Sequence, residues 1–142
     1  MGIARRVIES SELIVAVWDG AITPQEWAEV VRRQVAEPSD SLGYRRLTDA
    51  RTADVSAISG DDVDDVSASI DSAPGDVSAV KLAIVAAAEW ATAQQVEVSM
   101  SKLGVTTVVF NDVHAACAWL GVDADLTLRT ISELRNELRD VT

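Results

Sequence analysis

Sulfur and imidazole are scarce in this chain, which has one cysteine, Cys117, and one histidine, His114. A lone thiol excludes an internal disulfide, and one His with one Cys falls short of a zinc site of the usual kind. Cys117 sits in the apolar run Ala115-Ala116-Cys117-Ala118-Trp119 with no neighbouring base, so it reads as a small buried hydrophobe. No apolar run approaches the roughly 20 residues of a membrane span; the longest, Leu13 to Trp18, has strand length. The apolar residues after Arg5 and Arg6 are interrupted by Glu9, Ser10, Ser11 and Glu12, which argues against a secretory leader and makes the cytoplasm the expected compartment. Basic residues are also few. Twelve Lys and Arg face 23 Asp and Glu, for a net charge of −11, which repels phosphate backbones and anionic headgroups. Nucleic acid is therefore not an expected partner, although a local apolar patch retains the option of touching lipid. The glycines are isolated, with neither a dinucleotide fingerprint nor a P-loop. No metal and no cofactor is expected.

What is present is an alternation of short apolar runs and amphipathic stripes. Residues 3–9 and 12–18 read as two strands of an antiparallel hairpin around Ser10-Ser11. The second is apolar enough to be buried on both faces. Thr23 and Glu26 form a capping box with Pro24 at the first helical position, and Ile22 and Trp27 are spaced as a hydrophobic staple. Trp27, Val30, Val31 and Val35 make the stripe of this first helix, which Pro38 ends. A third strand is expected over 45–50. A second helix is expected from a Ser59 cap with stripe Val63, Val66 and Ile70, and a break at Ala73-Pro74-Gly75-Asp76. Then follow a strand over 80–86, a helix over 89–103 with Gly104 as its C-terminal cap, and a strand over 105–110. A fourth helix begins at Asn111 or Asp112 and closes at Trp119-Leu120-Gly121. The tail offers a fifth, with Thr130 and Glu133 as capping box and Ile131, Leu134, Leu138 and Val141 as stripe.

The expected fold is thus α/β: a single mixed, mostly parallel five-stranded sheet with an N-terminal antiparallel hairpin strand and four to five helices. Residues 1–122 form the domain. Residues 123–142 form a helical extension, packed on the domain or used in association, the latter making a homodimer an option. The two strands 13–18 and 105–110 are expected side by side or one place apart.

Three groups are candidates for function. Between Arg51 and Lys81 there is no basic residue, while Asp54, Asp61, Asp62, Asp64, Asp65, Asp71 and Asp76 are all present. The calcium-loop spacing is missing. Acids at a helix start also suit the helix dipole, so this tract is either a solvated helix start or a docking face for a basic partner. The four tryptophans Trp18, Trp27, Trp90 and Trp119 are core fillers, or in part the lining of a pocket for an apolar ligand. Trp18, Trp27 and Trp90, with Asp49 and Arg51, are the candidate pocket residues. His114 and Cys117 lie three apart on a helix, but no nucleophile elbow accompanies them, so no catalytic residue is assigned.

Several stretches resemble the STAS-like family of anti-sigma factor antagonists, in the branch with a STAS or CRAL-TRIO-type swivelling α/β fold. They are Trp18-Asp19-Gly20, Ile22-Thr23-Pro24-Gln25-Glu26, Leu47-Thr48-Asp49-Ala50-Arg51, Lys81-Leu82-Ala83-Ile84-Val85 and the block Val109 to Leu120. The resemblance spans about residues 5 to 121. It implies a non-enzymatic domain that binds a partner protein, switched in better-known relatives by phosphorylation of a serine at the start of the second helix. CRAL-TRIO relatives instead hold lipids or other apolar ligands, and the bacterial branch has been suggested to approach membranes. The place of the switch serine corresponds to Ser56 or Ser59. The family's Asp-Ser-Ser-Gly is replaced here by Val55-Ser56-Ala57-Ile58-Ser59-Gly60-Asp61-Asp62, whose acids repel a phosphate. Ser56, Ser59, Asp61, Asp62 and Asp65 are accordingly the candidate partner-binding residues.

Overall fold

The structure, a computed structural model, describes residues 2–36, 43–73, 80–87 and 90–140, and of Trp90 the backbone alone. Five strands form one sheet in the order β1-β2-β3-β4-β5. They are β1 (Ile3–Ile8), β2 (Leu13–Ala21), β3 (Arg45–Asp54), β4 (Lys81–Val85) and β5 (Thr106–Phe110). A one-turn 3-10 helix, Glu9–Ser11, makes the hairpin between β1 and β2, with Glu12 in the left-handed region (φ 48°). β1 pairs antiparallel with β2, and every later pair is parallel. The mixed, mostly parallel α/β sheet is the architecture the sequence pattern predicts.

The helices among the described residues are α1 (Pro24–Ala36), α2 (Gly60–Ser72), α3 (Trp90–Lys102), α4 (Val113–Leu120) and α5 (Ala124–Asp140). The first three are the crossovers between successive parallel strands. Crossovers of one hand that all step in one direction leave their helices on one face. On that face Ile22, Trp27 and Val31 of α1 and its approach pack with Val63 and Val66 of α2. Ala93 and Met100 of α3 pack near Ile84 and Val80. The steady stepping also corrects one expectation. β2 and β5 are neither neighbours nor one place apart, because β3 and β4 lie between them. The STAS-like resemblance gains nothing from this strand order.

After β5 the chain turns under the opposite face. α4 packs Val113, Ala116, Cys117 and Leu120 there, and α5 adds Ile131, Leu134 and Leu138 against Leu13, Val15, Val17 and Leu47. Both faces of β2 are therefore covered, which is why its first five residues are all apolar and buried. Gly121 (φ 75°) ends α4 in the left-handed conformation that glycine adopts without strain, and its N–H donates to the Cys117 and Ala118 carbonyls. The Arg45 guanidinium pins this corner, donating to the carbonyls of Leu120 (3.0 Å), Gly121 (3.3 Å) and Ser11.

α5 begins seven residues earlier than the Thr130–Glu133 capping box suggests. Asp123 serves the first turn instead, accepting from Asp125 N (2.9 Å). Thr130 lies buried within the helix, its hydroxyl donating to the Leu126 carbonyl. The stripe Ile131, Leu134 and Leu138 is spent on the chain's own sheet. The stops expected at Pro38 and Pro74-Gly75-Asp76, and Val141, lie outside the described residues. No helix among the described residues is long and apolar enough to cross a membrane.

Candidate functional site

Parallel α/β sheets offer their ligand sites at the carboxyl ends of the strands. Here that edge holds a buried charge network. β3 runs four residues beyond its expected end, and the pairing shifts within the extension: Val17 pairs with Asp49, but Asp19 pairs with Thr52. β3 thus carries one extra residue opposite β2, a bulge of the kind that re-aims side chains. Its effect is to turn Thr52 to the face already occupied by Asp49.

Asp49 is fully buried. Its Oδ1 accepts from the Arg51 backbone N–H (3.1 Å) and Arg51 Nε (2.9 Å), and its Oδ2 from Arg51 Nη2 (2.9 Å) and Arg135 Nη2 (2.8 Å). Arg135 comes from α5 and also donates from Nε to Thr52 Oγ1 (3.3 Å). The Thr52 hydroxyl donates to Asp19 Oδ1 (2.7 Å), and Arg139, one turn further along α5, grips both oxygens of Asp19 at 3.1 Å. On the outer side of the same helix, Arg6 of β1 holds Glu133 (2.6 Å) and Glu137 (2.8 Å). Of these, Arg51 on Asp49 and Arg139 on Asp19 have the two-point geometry that makes such pairs strong.

Burial opposes ionisation of Asp49, but the hydrogen bonds from Arg51 and Arg135 outweigh it and hold the carboxyl below the ordinary aspartate range. Arg139 does the same for Asp19, against a smaller burial effect. A general base near neutral pH needs a pKa close to the working pH and a free lone pair. Asp49 has neither, because all four hydrogen bonds come from its own chain. The network is a fixed floor.

Around that floor three helix N-termini, those of α1, α2 and α4, are already occupied. Thr23 and Glu26 form the capping box of α1, with Thr23 N to Glu26 Oε1 at 3.2 Å and Glu26 N to Thr23 Oγ1 at 3.1 Å. Ser59 and Asp62 form another at α2. Asp112 caps α4 by accepting from His114 N and Ala115 N, and these hold its carboxyl low. The starts of α1, α2 and α4 therefore each carry their own acid.

Of the partner-binding candidates, Ser56, Ser59, Asp61 and Asp65 are exposed and Asp62 is half-buried. The Ser56 N–H donates to Asp54 Oδ1 (3.0 Å). Ser59 is committed to its cap: its hydroxyl accepts from Asp62 N (3.2 Å) and contacts Asp62 Oδ2 (2.9 Å). Ser59→Ala should lower stability by about 1 kcal/mol, read as a shift of the urea midpoint with unchanged slope.

The sheet separates the pocket candidates. Asp49 and Arg51 meet on the α5 face, whereas Trp18 and Trp27 pack edge to face at 5.7 Å on the α1 face. Trp90's side chain lies outside the described residues. Trp119 packs on Phe110 at 5.7 Å, with the Lys81 ammonium 5.6 Å from its ring centre. Cys117 is buried and its thiol pushed up by that burial, while His114 is exposed. Asp19, Thr52, Arg135 and Arg139 belong to the site and carried no local signal. The one available cue was Arg135 and Arg139 standing four apart beside the Leu134–Leu138 stripe. The chain matches no family model, no curated protein and no solved structure.

Proposed function

We propose that this chain is a non-enzymatic recognition domain that binds a partner protein through the carboxyl rim of its sheet, centred on Ser56–Asp65. One observation carries this reading. Where a phosphate-binding α/β sheet presents open backbone N–H groups, this rim presents the chain's own carboxylates at Glu26, Asp62 and Asp112. Asp54, Asp61, Asp64 and Asp65 extend the negative surface, and all four are exposed. Such a rim suits a partner with a basic surface, and the charge network beneath it positions it in the unbound chain. Arg51, one-third exposed, reaches from the floor towards the rim and faces Asp112. The partner then carries a carboxylate opposite Arg51. The STAS-like resemblance adds only the sequence motifs quoted above.

The test is a pull-down from lysate with wild type and with Asp61→Lys/Asp65→Lys. Both positions are exposed on α2, so the variant should fold, with a loss of about 0.3–1 kcal/mol per site from the helix dipole. The expected result is loss of a partner that wild type retains at low salt and releases as salt rises. Identical partners for both proteins remove the reading.

A further inference from the structure

We propose that Asp49 couples the carboxyl rim to α5, so that drawing Arg51 away from Asp49 loosens the docking of that helix. Asp49 is one buried acceptor shared by two cations of different origin. Arg51 belongs to the rim and is one-third exposed, whereas Arg135 belongs to α5 and is 16% exposed. Arg51 spends Nε and Nη2 on Asp49, and none of the described residues accepts from its Nη1.

The direction of the coupling follows from solvation. With α5 seated, Asp49 has no water and depends on its two guanidinium partners. Remove Arg51, and the seated state holds a buried carboxylate with one side-chain donor, a costly arrangement. Opening α5 returns that carboxylate to water. Loss of the Arg51 arm therefore favours the open helix over the seated one. The other groups facing the pair do not replace the lost donor: Thr52 already donates to Asp19, and Arg139 is held by Asp19. Asp112 is itself an acid. On the reading of the rim as the recognition surface, the group that draws Arg51 away is a carboxylate of the partner. The coupling itself is a property of the isolated chain. What opens is substantial, since α5 covers Leu13, Val15 and Val17.

Hydrogen exchange on the isolated protein tests this without a partner. In Arg51→Gln, which keeps the apolar stem and removes the charge, amides of residues 127–139 should exchange about tenfold faster than in wild type, equivalent to ~1.4 kcal/mol. Amides of β2, β3 and α2 should change less. Adding Asp49→Asn, which removes the buried charge, should restore most of the α5 protection. Arg51→Lys, which keeps a cation without the fork, should fall between and serves if the glutamine variant does not fold. A uniform rise across the whole chain, no rise in α5, or no rescue by Asp49→Asn each overturns the coupling. The pull-down outcome is independent of all three.

Discussion

Asp49→Ala should lower the unfolding free energy by about 3 kcal/mol, the lower end of the 3–5 kcal/mol expected when one partner of a buried ion pair is removed. The lower end applies because Arg51 and Arg135 retain some water, at 33% and 16% exposure, while Asp49 has none. Three donors on two guanidiniums and one backbone N–H lose their acceptor together. Asp49→Asn should cost less, because the amide oxygen still accepts. Urea unfolding read by tryptophan fluorescence and by circular dichroism measures both. The two variants also differ from wild type in acid. Asp49 and Asp19 are held below their ordinary value of 3.8 in the folded chain. A carboxylate whose folded pKa is depressed contributes stability that is present above the unfolded value and lost as pH falls through the folded one. Wild-type stability should therefore decline as pH falls from the ordinary value towards the depressed folded ones. Asp49→Asn should start lower and decline less steeply. Parallel acid limbs would show that Asp49 does not enter the network as a carboxylate.

A chain ending at Asp123 should lose cooperative folding altogether. α5 buries Ile131, Leu134 and Leu138 on the sheet, each contributing about 1.5–3 kcal/mol, and it supplies Arg135 and Arg139. Their sum is comparable with the 5–15 kcal/mol that holds a typical domain together. The truncated chain should show a broad, non-sigmoidal denaturant transition and bind an apolar dye, because Leu13, Val15 and Val17 would lie bare. A sharp transition with near-wild-type slope would mean that the remaining α/β unit is self-sufficient and that α5 is an appendage.

The parts of this fold that were legible in the sequence are those written locally. Thr23, Pro24 and Glu26 announce the start of α1, and both reciprocal hydrogen bonds are formed. The unbroken apolar run from Leu13 announces a strand covered on both faces. Gly104 and Gly121 announce helix ends, and both have positive φ. The errors fall where two local signals compete or where no local signal exists. Thr130 and Glu133 make a plausible capping box, yet Asp123 stands at an equally good start. The longer helix prevails because its first turns also pack Ala124 and Leu128 against the core. The extension of β3 through Thr52 to Asp54 reads as a polar loop, because its side chains are satisfied by residues distant in sequence. Arg135 lies 86 positions from Asp49, and Arg139 lies 120 from Asp19. Two of the six residues of the candidate site, Asp49 and Arg51, were named from the sequence, as pocket residues beside tryptophans. The other four needed the topology that returns α5 to the first strands.

That return has a consequence for the chain while it is being made. At about 5–20 residues per second, Arg139 leaves the ribosome on the order of 10 s after Asp19, its partner across 120 positions. Throughout that interval one side of the newly made β2 has no helix to cover it, and the crossovers α1 to α3 cannot help because they assemble on the other side. The nascent protein thus carries a temporary sticky face centred on Val15. Its yield in a cell should depend on how well that face is sheltered until the last helix arrives.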